Sequence, residues 1–138
     1  MKLSQAQNKL IEEYWMNIDD YRKKLKFREW ELTENKKIDE NIGGGKSNRI
    51  SDTTANKAIL LAEDEQYQNF KRIIQAVDKV YSSSKDELKR FADVRYLSED
   101  SNYIDWDTVA DEMRSTKPKM YGMRNQLIDR TARELGWL

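Results

Sequence analysis

DWDTVADEMRSTKPKMYGMRNQLIDRTARELGWL, residues 105–138, is the stretch whose reading decides the fold. Asp105 can cap a helix over Trp106 to Arg114, with Val109, Ala110 and Met113 turned inward. Ser115, Thr116 and Lys117 make a turn. Pro118 then sits just inside a second helix, where its missing N–H costs nothing. That helix runs toward Glu134, and Gly136 fits its C-terminal cap region. On a helical wheel Met120, Met123, Leu127, Thr131 and Leu135 gather on one side, with Ile128 at the edge. The outward arc holds Lys119, Gly122, Asn125, Gln126, Asp129 and Arg133, while Lys117, Tyr121, Arg124 and Arg130 reach its flanks. A short helix, a tight turn and a longer helix predict a helix-turn-helix at about 105–135.

The charge of this stretch points the same way. From Arg114 to Arg133 the basic residues are Arg114, Lys117, Lys119, Arg124, Arg130 and Arg133, and the only acid is Asp129. Such a unit places its second helix in the major groove of double-stranded DNA, where early residues meet base edges. Lys and Arg supply phosphate contacts, and Asn125 or Gln126 can read adenine through two hydrogen bonds. The candidate DNA-binding residues are therefore Arg114, Lys117, Lys119, Tyr121, Arg124, Asn125, Gln126, Arg130 and Arg133. Periodicity and charge alone leave this reading level with an ordinary helical hairpin that has a charged face.

Working toward the N-terminus, Ser84 and Glu87 have the spacing of a capping box. The helix they open carries Leu88, Phe91, Ala92 and Val94 or Arg95 inward and runs to about Leu97, followed by a loop from Ser98 to Asn102. Upstream, residues 53–82 read as one long helix capped by Ser51 or Asp52. Ile59, Ala62, Phe70, Ile73, Val77 and Val80 form its inner stripe. Glu63, Asp64 and Glu65 interrupt the stripe and are expected on the solvated face. Residues 43–52 read as a Gly-rich, polar linker, because Gly43, Gly44 and Gly45 sit poorly in a helix.

Residues 4 to about 38 read as a long helix, or as a helical hairpin if Asn17, Asp19 or Asp20 caps a second segment. Ile11, Ile18, Leu25 and Leu32 recur every seven residues, with Tyr14 and Tyr21 between them and Arg28 as a flaw in the seam. Two uses of this seam stay open: packing on the chain's own domain, or a homodimer through Ile11, Tyr14, Ile18, Tyr21 and Leu25. The expected organisation is all-α. Residues 1–42 form an N-terminal helical region, 43–52 the linker, and 53–138 a helical domain ending in the helix-turn-helix.

Composition narrows the chemistry. Among 138 residues, 36% are charged, against about 25% in an average domain. There is neither Cys nor His, which removes disulfides, Cys or His zinc sites, thiol nucleophiles and imidazole bases. No paired-carboxylate motif stands out, so no catalysis and no cofactor are expected. Equal numbers of basic and acidic residues, 25 each, say nothing overall about nucleic acid; local distribution decides that. No apolar run approaches the ~20 residues of a membrane span, and the opening MKLSQAQNKL turns polar too early for a signal peptide. The cytoplasm is the expected location. Gly43-Gly44-Gly45-Lys46-Ser47 resembles the end of a phosphate-binding loop, but it lacks the earlier Gly and a preceding strand, and Glu40 would repel phosphate, so it reads as a hinge.

Three segments carry a family resemblance: Asp105-Trp106-Asp107-Thr108-Val109-Ala110-Asp111-Glu112-Met113, Tyr121-Gly122-Met123-Arg124-Asn125-Gln126-Leu127-Ile128 and Ala132-Arg133-Glu134-Leu135-Gly136-Trp137. Together they look like the C-terminus of the RinA/ArpU group of small phage and prophage transcriptional regulators. That ending is similar to the region of sigma factors that recognises a promoter's upstream element. Asn41-Ile42-Gly43-Gly44 and Ser51-Asp52-Thr53-Thr54 fit the same pattern. The resemblance implies activation of late phage genes or regulation of host lysis, with bacterial RNA polymerase as a partner. Pro118 and Gly122 depart from it, at the start and on the outward face of the second helix. A phage antiterminator or small packaging subunit could use similar helices, and a helical interaction module without DNA binding is the remaining class.

Overall fold

Ser4 opens the first helix with a reciprocal cap. Its hydroxyl accepts from the Gln7 amide at 3.1 Å, and the Gln7 side chain accepts from the Ser4 amide at 2.8 Å. The computed structural model describes residues 2–34, 49–99 and 104–138. Among them every regular element is helical and there is no strand. In chain order these are α1 (Gln5–Met16), α2 (Ile18–Thr33), α3 (Arg49–Glu63), α4 (Glu65–Ser83), α5 (Asp86–Ala92), a π-helical turn (Asp93–Leu97), α6 (Trp106–Glu112) and α7 (Lys117–Glu134). No described helix is long and apolar enough to cross a membrane.

The chain folds as two compact units, Met1–Asp19 with Ile73–Leu138, and Asp20–Arg72. This division departs from the one expected at 42 and 53, because α1 joins the C-terminal helices. α1 packs on α7 and on the π turn. Ile11 and Trp15 are fully buried there, and Tyr14 and Ile18 nearly so. Three members of the expected pairing seam, Ile11, Tyr14 and Ile18, are thus spent on the chain's own core. Burying each of these large apolar side chains stabilises the fold by about 1.5–3 kcal/mol. Val77 and Val80 from α4, Leu88 and Phe91 from α5, and Met120 and Leu127 from α7 complete the centre.

Several local expectations change in this unit. Lys85, not Ser84, precedes α5, and no side chain caps it. Buried Ser84 instead donates to the Val80 carbonyl at 2.6 Å, so the Ser84–Glu87 box does not form. The inner residue beyond Ala92 is Tyr96 rather than Val94 or Arg95. A π turn adds a residue to its hydrogen-bonded ring and shifts the inward phase. Burial pushes the Tyr96 phenol well above its ordinary value, and its hydroxyl donates to Glu12 Oε1 at 2.7 Å.

The second unit is a pair of antiparallel helical runs. Tyr21 meets Phe70 at 6.2 Å between ring centroids, Arg28 meets Asp64, and Glu34 meets Lys57. As α2 advances, its partners recede along α4 and α3. The expected single helix over 53–82 breaks at Asp64, between α3 and α4. Asp64 accepts from the Tyr67 amide at 2.8 Å and so caps α4. Arg28 Nε donates to Asp64 Oδ2 at 3.0 Å and Arg28 Nη2 to Oδ1 at 2.6 Å. Asp64 therefore faces α2 and not solvent, and the break shifts the phase so that Ile59 and Ala62 lie exposed. α3 begins at Arg49, so residues 49–52 are helix rather than linker, and positions 51 and 52 lie within the helix rather than at its start. Gly43 to Ser47 and the loop residues 100–102 lie outside the described residues. Among the described residues of this unit, none is fully buried.

Candidate nucleic-acid interface

Asp105 caps α6 through its carboxylate, which accepts from the Thr108 amide at 2.8 Å; that bond holds the Asp105 carboxyl below its usual range. α6 ends at Glu112, two residues before the expected Arg114, in a tight reversal. Arg114 takes a left-handed φ of 52°. Its amide reaches Asp111 O at 3.1 Å, and the Ser115 amide reaches Ala110 O at 2.9 Å. These two bonds form a Schellman closure with Arg114 at the place glycine favours. Arg90 adds a lid on the same end, donating from Nη2 to the Glu112 carbonyl at 2.9 Å.

α7 then starts with Lys117 and Pro118, which supply the first-turn geometry. Its inner face is Met120, Met123, Leu127, Ile128, Thr131 and Ala132, all buried. Leu135 is only half-buried, and Ala132 replaces it in the core. The helix closes with a second Schellman motif. Gly136 has φ 79°, and the Trp137 amide reaches Ala132 O at 2.8 Å.

The outward arc is free of packing. Lys119, Gly122, Asn125, Gln126, Asp129 and Arg133 are exposed, as are Arg114 and Lys117. A Cβ added to Gly122 would meet nothing within 4 Å, so the helix backbone is bare there. Among the basic residues, the structure separates four settings. Lys117 Nζ pairs with Asp107 at 3.1 Å, and this bond holds its ammonium above the ordinary value. Lys119 Nζ lies 3.4 Å from Glu87 on α5. Arg124 stacks over Tyr121 at 5.2 Å and over Trp106 at 5.6 Å. Arg130 turns back, donating to Ser84 Oγ and Ser83 Oγ at 2.7 Å each.

Two residues therefore change role. Arg130 was expected on phosphate, but its guanidinium ties α7 to the end of α4. Tyr121 is half-buried and packs edge-on against Trp106 at 4.9 Å, fastening α6 to α7. Trp106 itself has a second guanidinium near its ring, since Arg95 sits 4.3 Å from its centroid. That aromatic post was not legible in the helical pattern, because Trp106 is the first residue of its helix and Arg95 comes from the π turn. What remains outward and uncommitted to packing is Arg114, Gly122, Gln126 and Arg133, with Lys117, Lys119 and Asn125 in exposed polar contacts.

A family profile matches residues 4–133, nearly the whole chain. The chain belongs to the family described as Protein of unknown function (DUF722). No curated protein and no solved structure matches it.

Proposed function

We propose that this chain is a sequence-specific DNA-binding transcriptional regulator of phage or prophage origin. α6, the Arg114 turn and α7 act as its helix-turn-helix, and α7 reads the major groove. The observation that supports this most is the division of α7 into two sides. One side is buried from Met120 to Ala132, while the other presents Lys119, Gly122, Asn125, Gln126, Asp129 and Arg133 with no packing over them. A helix with an exposed, net basic outer arc suits groove entry, and glycine in its second turn would bring the backbone close to DNA. The resemblance to the RinA/ArpU group supports activation of late genes, with bacterial RNA polymerase as a partner in the host cytoplasm. The reading assigns the chain no catalysis and no cofactor.

The test is selection of bound duplexes from random DNA with the full chain, followed by binding across a salt series. Asn125→Ala should cost about 1–3 kcal/mol on the selected site and much less on a scrambled duplex. Failure to enrich any sequence, with Asn125→Ala neutral on all duplexes, would remove this reading.

A further inference from the structure

Trp106, the first residue of α6, is a meeting point for side chains from three other elements. Phe91 of α5 lies nearly parallel to its ring, with centroids 6.3 Å apart and planes at 20°. Tyr121 of α7 packs against it edge-on at 4.9 Å. Phe91 is fully buried, so the half-buried indole is anchored on the core. Two guanidinium groups share this anchored ring. Arg95, from the π turn, lies 4.3 Å from its centroid, and Arg124, from α7, lies 5.6 Å from it. Arg124 also sits over Tyr121 at 5.2 Å, and Arg95 over Tyr96 at 5.7 Å.

Neither guanidinium pairs with a carboxylate among the described residues. Arg95 Nη1 donates to the Ile104 carbonyl at 2.7 Å, and Arg124 Nε donates to Asn125 Oδ1 at 3.3 Å. The acids beside Trp106 in the chain are engaged elsewhere. Asp105 accepts from the Thr108 amide, and Asp107 meets Lys117. Lys117 and Lys119 of α7 differ in this respect, since Asp107 and Glu87 already answer their charge. Arg95 Nε is buried with no acceptor among the described residues, a cost that a neutral side chain would avoid. Ring contacts thus hold both arginines in place and leave their charge unanswered.

We infer that Arg95 and Arg124, held on Trp106, grip the DNA phosphate backbone at the flank of the groove that α7 enters. The inference rests on the DNA reading proposed above, and Arg95 and Trp106 are its new members. An arginine presents a planar fork of donors that matches two phosphate oxygens, and it keeps that fork while stacked on an aromatic ring. Placing the guanidinium on a ring beforehand lowers the entropy lost on binding. Asn125 locates the site. It follows Arg124 in the chain and accepts its hydrogen bond, so the ring and its two arginines border the arc proposed to meet bases. Phosphate contacts fix register on the duplex and carry no sequence information directly. Arg95, Trp106 and Arg124 therefore set the register of α7, while Asn125 reads. Carboxylates of a protein partner would suit the same donors, but the continuity with α7 favours phosphate.

The test is binding of the full chain to a duplex selected from random DNA and to a scrambled duplex, each across a salt series, with far-ultraviolet circular dichroism on every variant. Arg95→Gln and Arg124→Gln should each flatten the log–log salt slope by about 0.9 and weaken both duplexes about equally. Trp106→Leu keeps both charges. It should lower affinity several-fold in wild type and change little in the Arg95→Gln/Arg124→Gln chain, whereas a mere loosening of α6 on α7 would weaken both. Equal losses in the two backgrounds overturn the role given to the indole. Unchanged slopes in both arginine variants, with wild type still binding its selected duplex, overturn the inference and leave the DNA reading standing. So does a loss confined to the selected duplex, which would make these base contacts. Failure of wild type to enrich any duplex removes the DNA reading and this inference with it. If Arg95→Gln loses its helicity, Arg124→Gln decides.

Discussion

The indole N–H of Trp15 donates to the Thr131 hydroxyl at 3.0 Å, across 116 residues of chain, and both side chains are fully buried. Thr131 in turn donates to the Leu127 carbonyl at 2.7 Å. The relay pins α1 behind α7 from the side opposite the outward arc. It sets the depth of the first helix and supports the rigidity of the face proposed to meet DNA.

Thr131→Val should remove the acceptor without changing the shape, leaving a buried indole N–H unsatisfied. Stability should fall by about 1–3 kcal/mol. Trp15→Phe adds a packing loss, but the double variant should cost less than the two singles together, since both remove one bond. Urea denaturation of the four chains measures the coupling; strict additivity would show that the bond contributes nothing.

Arg114 occupies a left-handed site that costs a non-glycine residue about 1 kcal/mol. Arg114→Gly should therefore raise stability by a few tenths to about 1 kcal/mol. Gly136→Ala, at φ 79°, should do the reverse. Thermal melting that moves both variants in the same direction would contradict the two closures.

Gly122 is mid-helix and open to solvent, so Gly122→Ala should stabilise the fold by about 0.5–1 kcal/mol. If α7 lies in a groove, the same change should weaken DNA binding, because the added methyl stands where the backbone approaches. A stabilised variant that binds DNA as well as wild type would place the contact elsewhere on the helix.

Arg130 and Lys117 should now behave differently. Arg130→Met breaks the ties to Ser83 and Ser84 and should cost about 1 kcal/mol of stability, with the salt dependence of DNA binding unchanged. Lys117→Ala should barely affect stability and should flatten the log–log salt slope by about 0.9. Slopes from binding titrations in a salt series would refute the assignment if they were reversed.

The hydrogen bonds from Arg28 hold the Asp64 carboxyl below its usual range. A group depressed in the folded state adds stability that is complete above its unfolded value, about 3.9, and lost as pH falls through the folded one. The α2–α4 pair should thus loosen only in acid below about pH 4. Asp64→Asn should remove that acid limb from a far-ultraviolet titration and lower helicity at neutral pH. An unaltered acid limb would mean the ion pair contributes no stability.

Helix identity and facing were legible wherever one amphipathic stripe meets one uninterrupted element. The inner residues of α7 from Met120 to Thr131, the Asp105 cap and the Gly136 closure all follow from local spacing and local backbone chemistry. The seam flaw at Arg28 and the acidic break at Asp64 were each visible, but not that they answer one another, because a bidentate pair 36 residues apart leaves no period in the sequence. The same holds for Trp15 with Thr131, and for Arg130, whose outward position on the wheel says nothing about the two serines it reaches. Periodicity determines which side of a helix is apolar. Only tertiary packing decides which partner covers that side, and hence that Ile11, Tyr14 and Ile18 belong to the chain's own core while Phe27 and Trp30 are left in solvent.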